Sequence, residues 1–109
     1  MKKSIVEEGK TLAIVSYLTY IGTIISFILN NDKKNAFAAF HLRQAVGLGI
    51  IFFLVEMLTA FSSHGIIKSV FYVFLFVLWI IGFIGAINGE YKKIPILGDA
   101  FQQWFKNYF

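Results

Sequence analysis

Long apolar runs separated by short polar breaks organise this chain. The first run extends from Thr11 to Leu29 and ends in Asn30-Asn31-Asp32-Lys33-Lys34-Asn35, a polar turn that stops a helix. The second extends from Ala36 to Phe61 and opens with His41, Arg43 and Gln44 among its apolar residues. At about 1.5 Å per residue it makes roughly 39 Å of helix, more than a hydrocarbon core of about 30 Å, so its first turns belong at the interface. Ser62-Ser63-His64-Gly65 predicts a tight turn, and a third run follows from Ile66 to Asn88. These runs are apolar on every face instead of along one stripe, which requires lipid or tight helix packing all round. Pro95 ends the third helix, and Gly98-Asp99 predicts a new start with Asp99 as its cap. From residue 99 to 109, Phe101, Trp104, Phe105 and Phe109 share one face, while Gln102, Gln103, Lys106 and Asn107 lie elsewhere. That pattern predicts an amphipathic helix in the head-group layer; the competing reading is a fourth helix docked on the bundle. The expected fold is all-α and integral to the membrane, one domain over residues 1–109, with spans at 11–29, 36–61 and 66–88 and the amphipathic tail helix.

Composition agrees. Of the 109 residues 58% are hydrophobic and 15% charged, against about half and a quarter in soluble domains. The net charge of +4 comes from lysines clustered between the apolar runs. Such clusters suit anionic lipid head groups and exclude a nucleic-acid footprint. There is no cysteine, hence neither disulfides nor thiolate chemistry. Glu7 and Glu8 flank the first run beside Lys2, Lys3 and Lys10, which marks a retained span and not a cleaved signal. With three spans, the N-terminal segment shares a side with the Ser62 turn and Lys68. Lys33, Lys34, Arg43, Lys92, Lys93 and Lys106 share the other. The larger basic set predicts that the second side is cytoplasmic, giving N-out and C-in.

Four constellations could carry chemistry. Ser16, Thr19, Thr23, Ser26 and Asn30 recur every three or four residues and form a polar stripe on a helix. It suits a wet path, but hydroxyls at this spacing more often bond across packed helices. Glu56 is an acid within a span, so it is expected to face protein as a neutral carboxyl, to handle a proton or ion, or to recognise a basic group. Trp79, Gly82, Gly85, Ala86 and Gly89 make a helix-packing face with small residues for close approach. His41, Arg43 and Gln44 form an interfacial polar group, in which Arg43 suits a lipid phosphate. His41 and His64 lack a second ligand at metal spacing, so no metal is expected. No acid–base pair, nucleophile motif or phosphate-cradling loop is present, so neither enzyme activity nor a cofactor is predicted.

Two segments add a resemblance. Phe40-His41-Leu42-Arg43-Gln44-Ala45, and Ala86-Ile87-Asn88-Gly89-Glu90 through Pro95 to Gly98, resemble motifs of a bacterial family related to Tic-twenty, the protein-import component of the chloroplast inner envelope. The resemblance implies a place in the bacterial inner membrane and a link to protein import. It also brings Asn88 and Glu90 beside His41, Arg43 and Gln44 as one interfacial patch. The expected function is an accessory or structural subunit of a membrane assembly concerned with translocation or transport, with other membrane subunits or copies of itself as partners. The alternative is a self-assembled channel or carrier that uses the span-one stripe and Glu56.

Overall fold

The structure, a computed structural model, describes residues 4–60 and 65–107. The expected turn at Ser62 to His64, with His64 itself, and the terminal Phe109 lie outside the described residues.

The first apolar run departs from expectation: it forms two helices, α1 (Ile5–Leu18) and α2 (Tyr20–Lys33). Ser4 caps α1 by accepting the Glu7 amide, and Glu7 and Glu8 stand at its positive end. The helix stops because Thr19 takes an extended conformation (φ −156°, ψ 172°) and its hydroxyl accepts the Gly22 amide at 3.0 Å. Thr19 is thus the N-cap of α2, and the chain doubles back. Ser26 donates to the Leu12 carbonyl at 2.8 Å and Thr23 to the Ser16 carbonyl at 2.6 Å. The position numbers rise on one helix as they fall on the other, so the pair is an antiparallel hairpin. Each arm has 14 residues. That makes about 21 Å of helix, too short to cross a core of about 30 Å. The expected span 11–29 is therefore not one crossing.

Two described helices are long and apolar enough to cross a membrane, α3 (Ala36–Thr59) and α4 (Gly65–Ile87). Asn35 caps α3 by accepting the Ala38 amide at 2.9 Å. The same side chain donates to the Ile5 carbonyl at 2.8 Å, which fastens the start of α1 to the α2–α3 turn. Asn30 completes that turn through two bonds to the Asn35 backbone. At its far end α4 closes with Gly89 at φ +71° and the Glu90 amide bonded to the Gly85 carbonyl, a left-handed termination that glycine permits.

The tail helix α5 (Gly98–Trp104) is shorter than expected and docks on α3. Phe101 is 1% exposed and lies against Gly47, where a side chain would occupy the place of its ring. Gln102 donates to the Phe40 carbonyl at 2.9 Å and accepts from Arg43 at 3.1 Å. These anchors make the tail part of the helix bundle. Leu97, not Asp99, holds the cap position, and Asp99 sits in the first turn paired with Lys93 at 2.6 Å.

Topology follows from these contacts. The start of α1, the α2–α3 turn and the tail gather at one end, and the end of α3 and the start of α4 lie at the other. The start of α1 thus lies opposite the end of α3 and the start of α4, not beside them as expected. α3 packs on all four other described helices, while α1 packs on α2, α3 and α4. Ala13, Tyr17, Phe37, Ala45 and Ala86 form one core around α1; Leu48, Val55, Leu75, Leu78, Ile94 and Phe101 form a second between α3, α4 and the tail. The outer faces of α2 and α4, including Ile21, Ile28, Val73 and Phe76, are uncovered.

Replacing Gly47 with alanine puts a methyl group 2.5 Å from the Phe101 ring. Overpacking of this kind costs about 1–3 kcal/mol. The G47A variant should unfold at lower temperature in detergent and expose its tail to protease first. A tail as protected as that of the parent would remove Phe101–Gly47 packing as the anchor.

Candidate functional site

Three side chains from two helices meet in the interior. α1 supplies Tyr17 in its last turn, and α3 supplies His41 and Gln44, which face α1 one turn apart. His41 and Gln44 are wholly buried, and Tyr17 nearly so. Phe37, Phe40 and Tyr17 set their ring edges around the imidazole at centroid distances of 4.8, 5.0 and 5.4 Å.

The wiring fixes the protons. His41 Nε2 lies 2.8 Å from the Glu90 carbonyl, which can only accept, so Nε2 carries a hydrogen. Nδ1 then accepts from the Tyr17 hydroxyl at 2.7 Å. That hydroxyl in turn accepts from Gln44 Nε2 at 2.9 Å. Gln44 also donates to the Lys92 carbonyl at 3.2 Å, and its Oε1 accepts the Ile94 amide at 2.9 Å. A second proton on His41 would face the Tyr17 oxygen and leave the phenol proton without an acceptor, so this arrangement holds a neutral imidazole. The centre therefore binds the irregular segment from Glu90 to Ile94, whose backbone has no helix of its own to satisfy it.

Trp79 adds the fourth contact. Its indole donates at 2.7 Å to the Tyr17 carbonyl, which lost its helical partner when α1 ended. Gly82 gives the Tyr17 ring room, since a Cβ there would lie 2.9 Å from the hydroxyl. Gly85 lies against Lys92 and Ala86 is fully buried. The face of Trp79, Gly82, Gly85, Ala86 and Gly89 thus packs within the monomer, with Gly89 at the turn.

The other candidates are placed as follows. Of the interfacial group, His41 and Gln44 are in the centre and Glu90 joins through its backbone carbonyl. Arg43 points away to Gln102, and Asn88 is exposed and makes only a backbone bond to Ile84. The hydroxyls of Ser16, Thr23 and Ser26 all bond backbone carbonyls within the hairpin, and Thr19 is spent on the cap. They zip two helices together, and Ser16, Thr19 and Thr23 also border a mostly apolar cavity of about 750 Å³ between the hairpin tip, α3 and α4. Glu56 is half-exposed and lies 3.8 Å from the Lys68 ammonium of α4. Lys68 also lies over the Tyr72 ring, which stacks on Phe52. Sequence reasoning passed over Tyr17 because a tyrosine in an apolar run reads as packing. The readable signal was its spacing from Thr19-x-x-Gly22, a cap motif inside a supposed span.

Residues 8–101, from the first turns of α1 into α5, match the magnetosome magnetite crystal formation protein family, MamF/MmsF. The chain belongs to that family. This MamF/MmsF-family chain is also similar to two UPF0132 membrane proteins of Methanocaldococcus jannaschii. One is 29% identical over 82 residues, covering 74% of this chain and 73% of the relative. The other is 24% identical over 99 residues, covering 87% and 69%. No solved structure matches. The matches correct the resemblance drawn from the Phe40–Ala45 and Ala86–Gly98 segments: they lead to MamF/MmsF and UPF0132, and none leads to the Tic-twenty relatives or to protein import. Both segments lie inside the matched region and supply His41, Gln44 and the backbone they hold. With the apolar helices, these relatives make this an all-helical membrane protein.

Removing the Tyr17 hydroxyl strands His41 Nδ1 and one Gln44 donor in a buried site. Each stranded group costs about 1–3 kcal/mol. Y17F should therefore lower the thermal unfolding midpoint, and adding Q44L to it should cost less than the sum of the two single changes. Strict additivity would show that the three side chains do not act as one network.

Proposed function

We propose that this protein is a non-catalytic structural or accessory subunit of a membrane assembly, with a re-entrant α1–α2 hairpin and both ends on the cytoplasmic face. One observation carries the reading: the interior polar groups are consumed in holding the helices together, while long apolar flanks of α2 and α4 stand uncovered. Side chains already bonded to carbonyls and to each other are poor candidates for turnover. Uncovered apolar helix faces need lipid or another membrane helix.

Charge supports the orientation. Lys10, Lys33, Lys34, Arg43, Lys92, Lys93 and Lys106 all lie toward the end that holds the tail, and among the described residues Lys68 alone lies toward the other. Positive residues near span ends are retained on the cytoplasmic side. With the hairpin re-entrant, N-in and C-in replaces the N-out reading. The same end would lie against anionic head groups, each basic residue contributing on the order of 1 kcal/mol. The family is named for magnetite crystal formation, but among the described residues no three His, Cys, Asp or Glu side chains stand close enough to hold a metal ion. The proposal therefore rests on packing and charge.

Single cysteines at Asn31 and Gln103 in intact cells should resist a membrane-impermeant thiol reagent and react after permeabilisation, whereas one at Gly65 should react at once. Labelling of Asn31 and Gly65 cysteines from opposite sides to those stated would reverse the orientation. Mild-detergent extraction of a tagged copy from its own membrane should yield a complex of fixed stoichiometry. A monomer with no companion at native expression would overturn the subunit role.

A further inference from the structure

At the basic end, a cleft of about 420 Å³ opens between the end of α2, the start of α3 and the segment after α5. Its size falls among small-ligand sites, about 300–1,000 Å³. Lys34 and Arg43 line it together with the amides Asn30, Asn31, Asn35 and Asn107. No carboxylate is among its lining residues. The hairpin turn and the tail bring these two cations together although they belong to different elements. Lys34 is held in a left-handed conformation (φ 50°), with its backbone amide on the Asn30 carbonyl. Arg43 comes from the second turn of α3, about 11 Å along the helix from Ala36. At that depth an arginine reaches the head-group layer only by extending its stem.

We propose that this cleft binds the phosphate of an anionic phospholipid, with Arg43 and Lys34 on the phosphate and the Asn31 and Asn107 amides on the polar head, Asn30 and Asn35 being bonded within the turn that shapes the cleft. Two cations with amides and no carboxylate recognise a phosphate. What selects a phospholipid over the free ion is the surface below. Below the cleft α2 presents Phe27 and Ile24 on successive turns from Asn31, and α3, two turns beyond Arg43, presents Ile50 and Phe53, all exposed. Two apolar lanes descend from the cleft, as acyl chains attached to a bound phosphate would. The proposal rests on the orientation given above, which puts this end at the anionic leaflet.

The test uses the full chain in detergent, with native mass spectrometry to count retained lipid and thermal unfolding to check the fold. Phosphatidylglycerol, phosphatidylcholine and inorganic phosphate are titrated separately. The expected result is one retained phosphatidylglycerol, bound roughly tenfold more tightly than phosphatidylcholine, and weakened roughly tenfold by K34Q or R43Q. K68Q, at the opposite end, should leave it unchanged. Arg43 also holds Gln102, so R43Q can loosen the tail; Lys34 is exposed and its side chain supports nothing in the fold, which makes K34Q the deciding variant. Phosphatidylglycerol retained equally by the parent and K34Q would overturn the site. So would equal stabilisation by inorganic phosphate, which would assign the cleft to the free ion. Cysteine labelling reads the orientation independently, so a failed site and a failed orientation are distinguishable.

Discussion

The whole arrangement depends on one break in a helix. Where Thr19 turns extended, the last carbonyls of α1 lose their helical partners inside an apolar environment, and an unbonded carbonyl there costs several kcal/mol, on the order of 2–7. Each neighbour answers part of that debt. Thr23 returns to the Ser16 carbonyl, and Trp79 reaches across from α4 to the Tyr17 carbonyl. The break is therefore possible only with α2 folded back and α4 in place, and it fixes where both must lie. A straight helix over the same residues would carry the N-terminal segment to the opposite end of the molecule and separate it from the α2–α3 turn that Asn35 fastens to Ile5.

The polar centre extends the same logic to the chain after α4. Tyr17 sits one residue before the end of α1, so the break aims its ring between α3 and α4. There it orients His41 and Gln44 toward the backbone of Glu90, Lys92 and Ile94. Tail placement then follows in two steps. Gln44 fixes Ile94, and Phe101 and Gln102 seat α5 on Gly47 and Phe40. A histidine usually suggests titration or metal binding. Here both ring nitrogens are committed, one to a carbonyl and one to a phenol, and the imidazole acts as a rigid spacer between two segments.

The membrane character, both long helices and the turn at Asn30 were legible in the sequence, because hydropathy and asparagine act locally. The hairpin was not. Hydropathy over Thr11–Leu29 is the same whether the run is one helix or two, and Ser16, Thr19, Thr23 and Ser26 keep helical spacing in either case. What separates the alternatives is the fate of carbonyl groups, a tertiary property. Glu56 shows the same limit: the cation beside it, Lys68, belongs to another helix, and a single-helix wheel shows no partner near it. The Tyr17 network joins residues far apart in the chain, and only Gln44 and His41 announced themselves as polar.

The molecule is uneven along its length. The hairpin reaches only as far as Gly49, where the Tyr20 hydroxyl meets the backbone carbonyl at 3.2 Å. Below that level α1 and α2 back the two long helices, and every hydrogen bond of the polar centre is found there. Above it α3 and α4 hold each other through the Phe52–Tyr72 stack and the Glu56–Lys68 pair, and an apolar cavity of about 750 Å³ lies at the boundary, against the hairpin tip. A part-exposed ion pair adds little, about 0–1 kcal/mol, and stacked rings about 0.5–1.5 kcal/mol. Order is therefore concentrated at the basic end, where burial, hydrogen bonds and the tail reinforce one another. The far ends of α3 and α4 depend on what surrounds them, so their separation is the motion that costs this fold least.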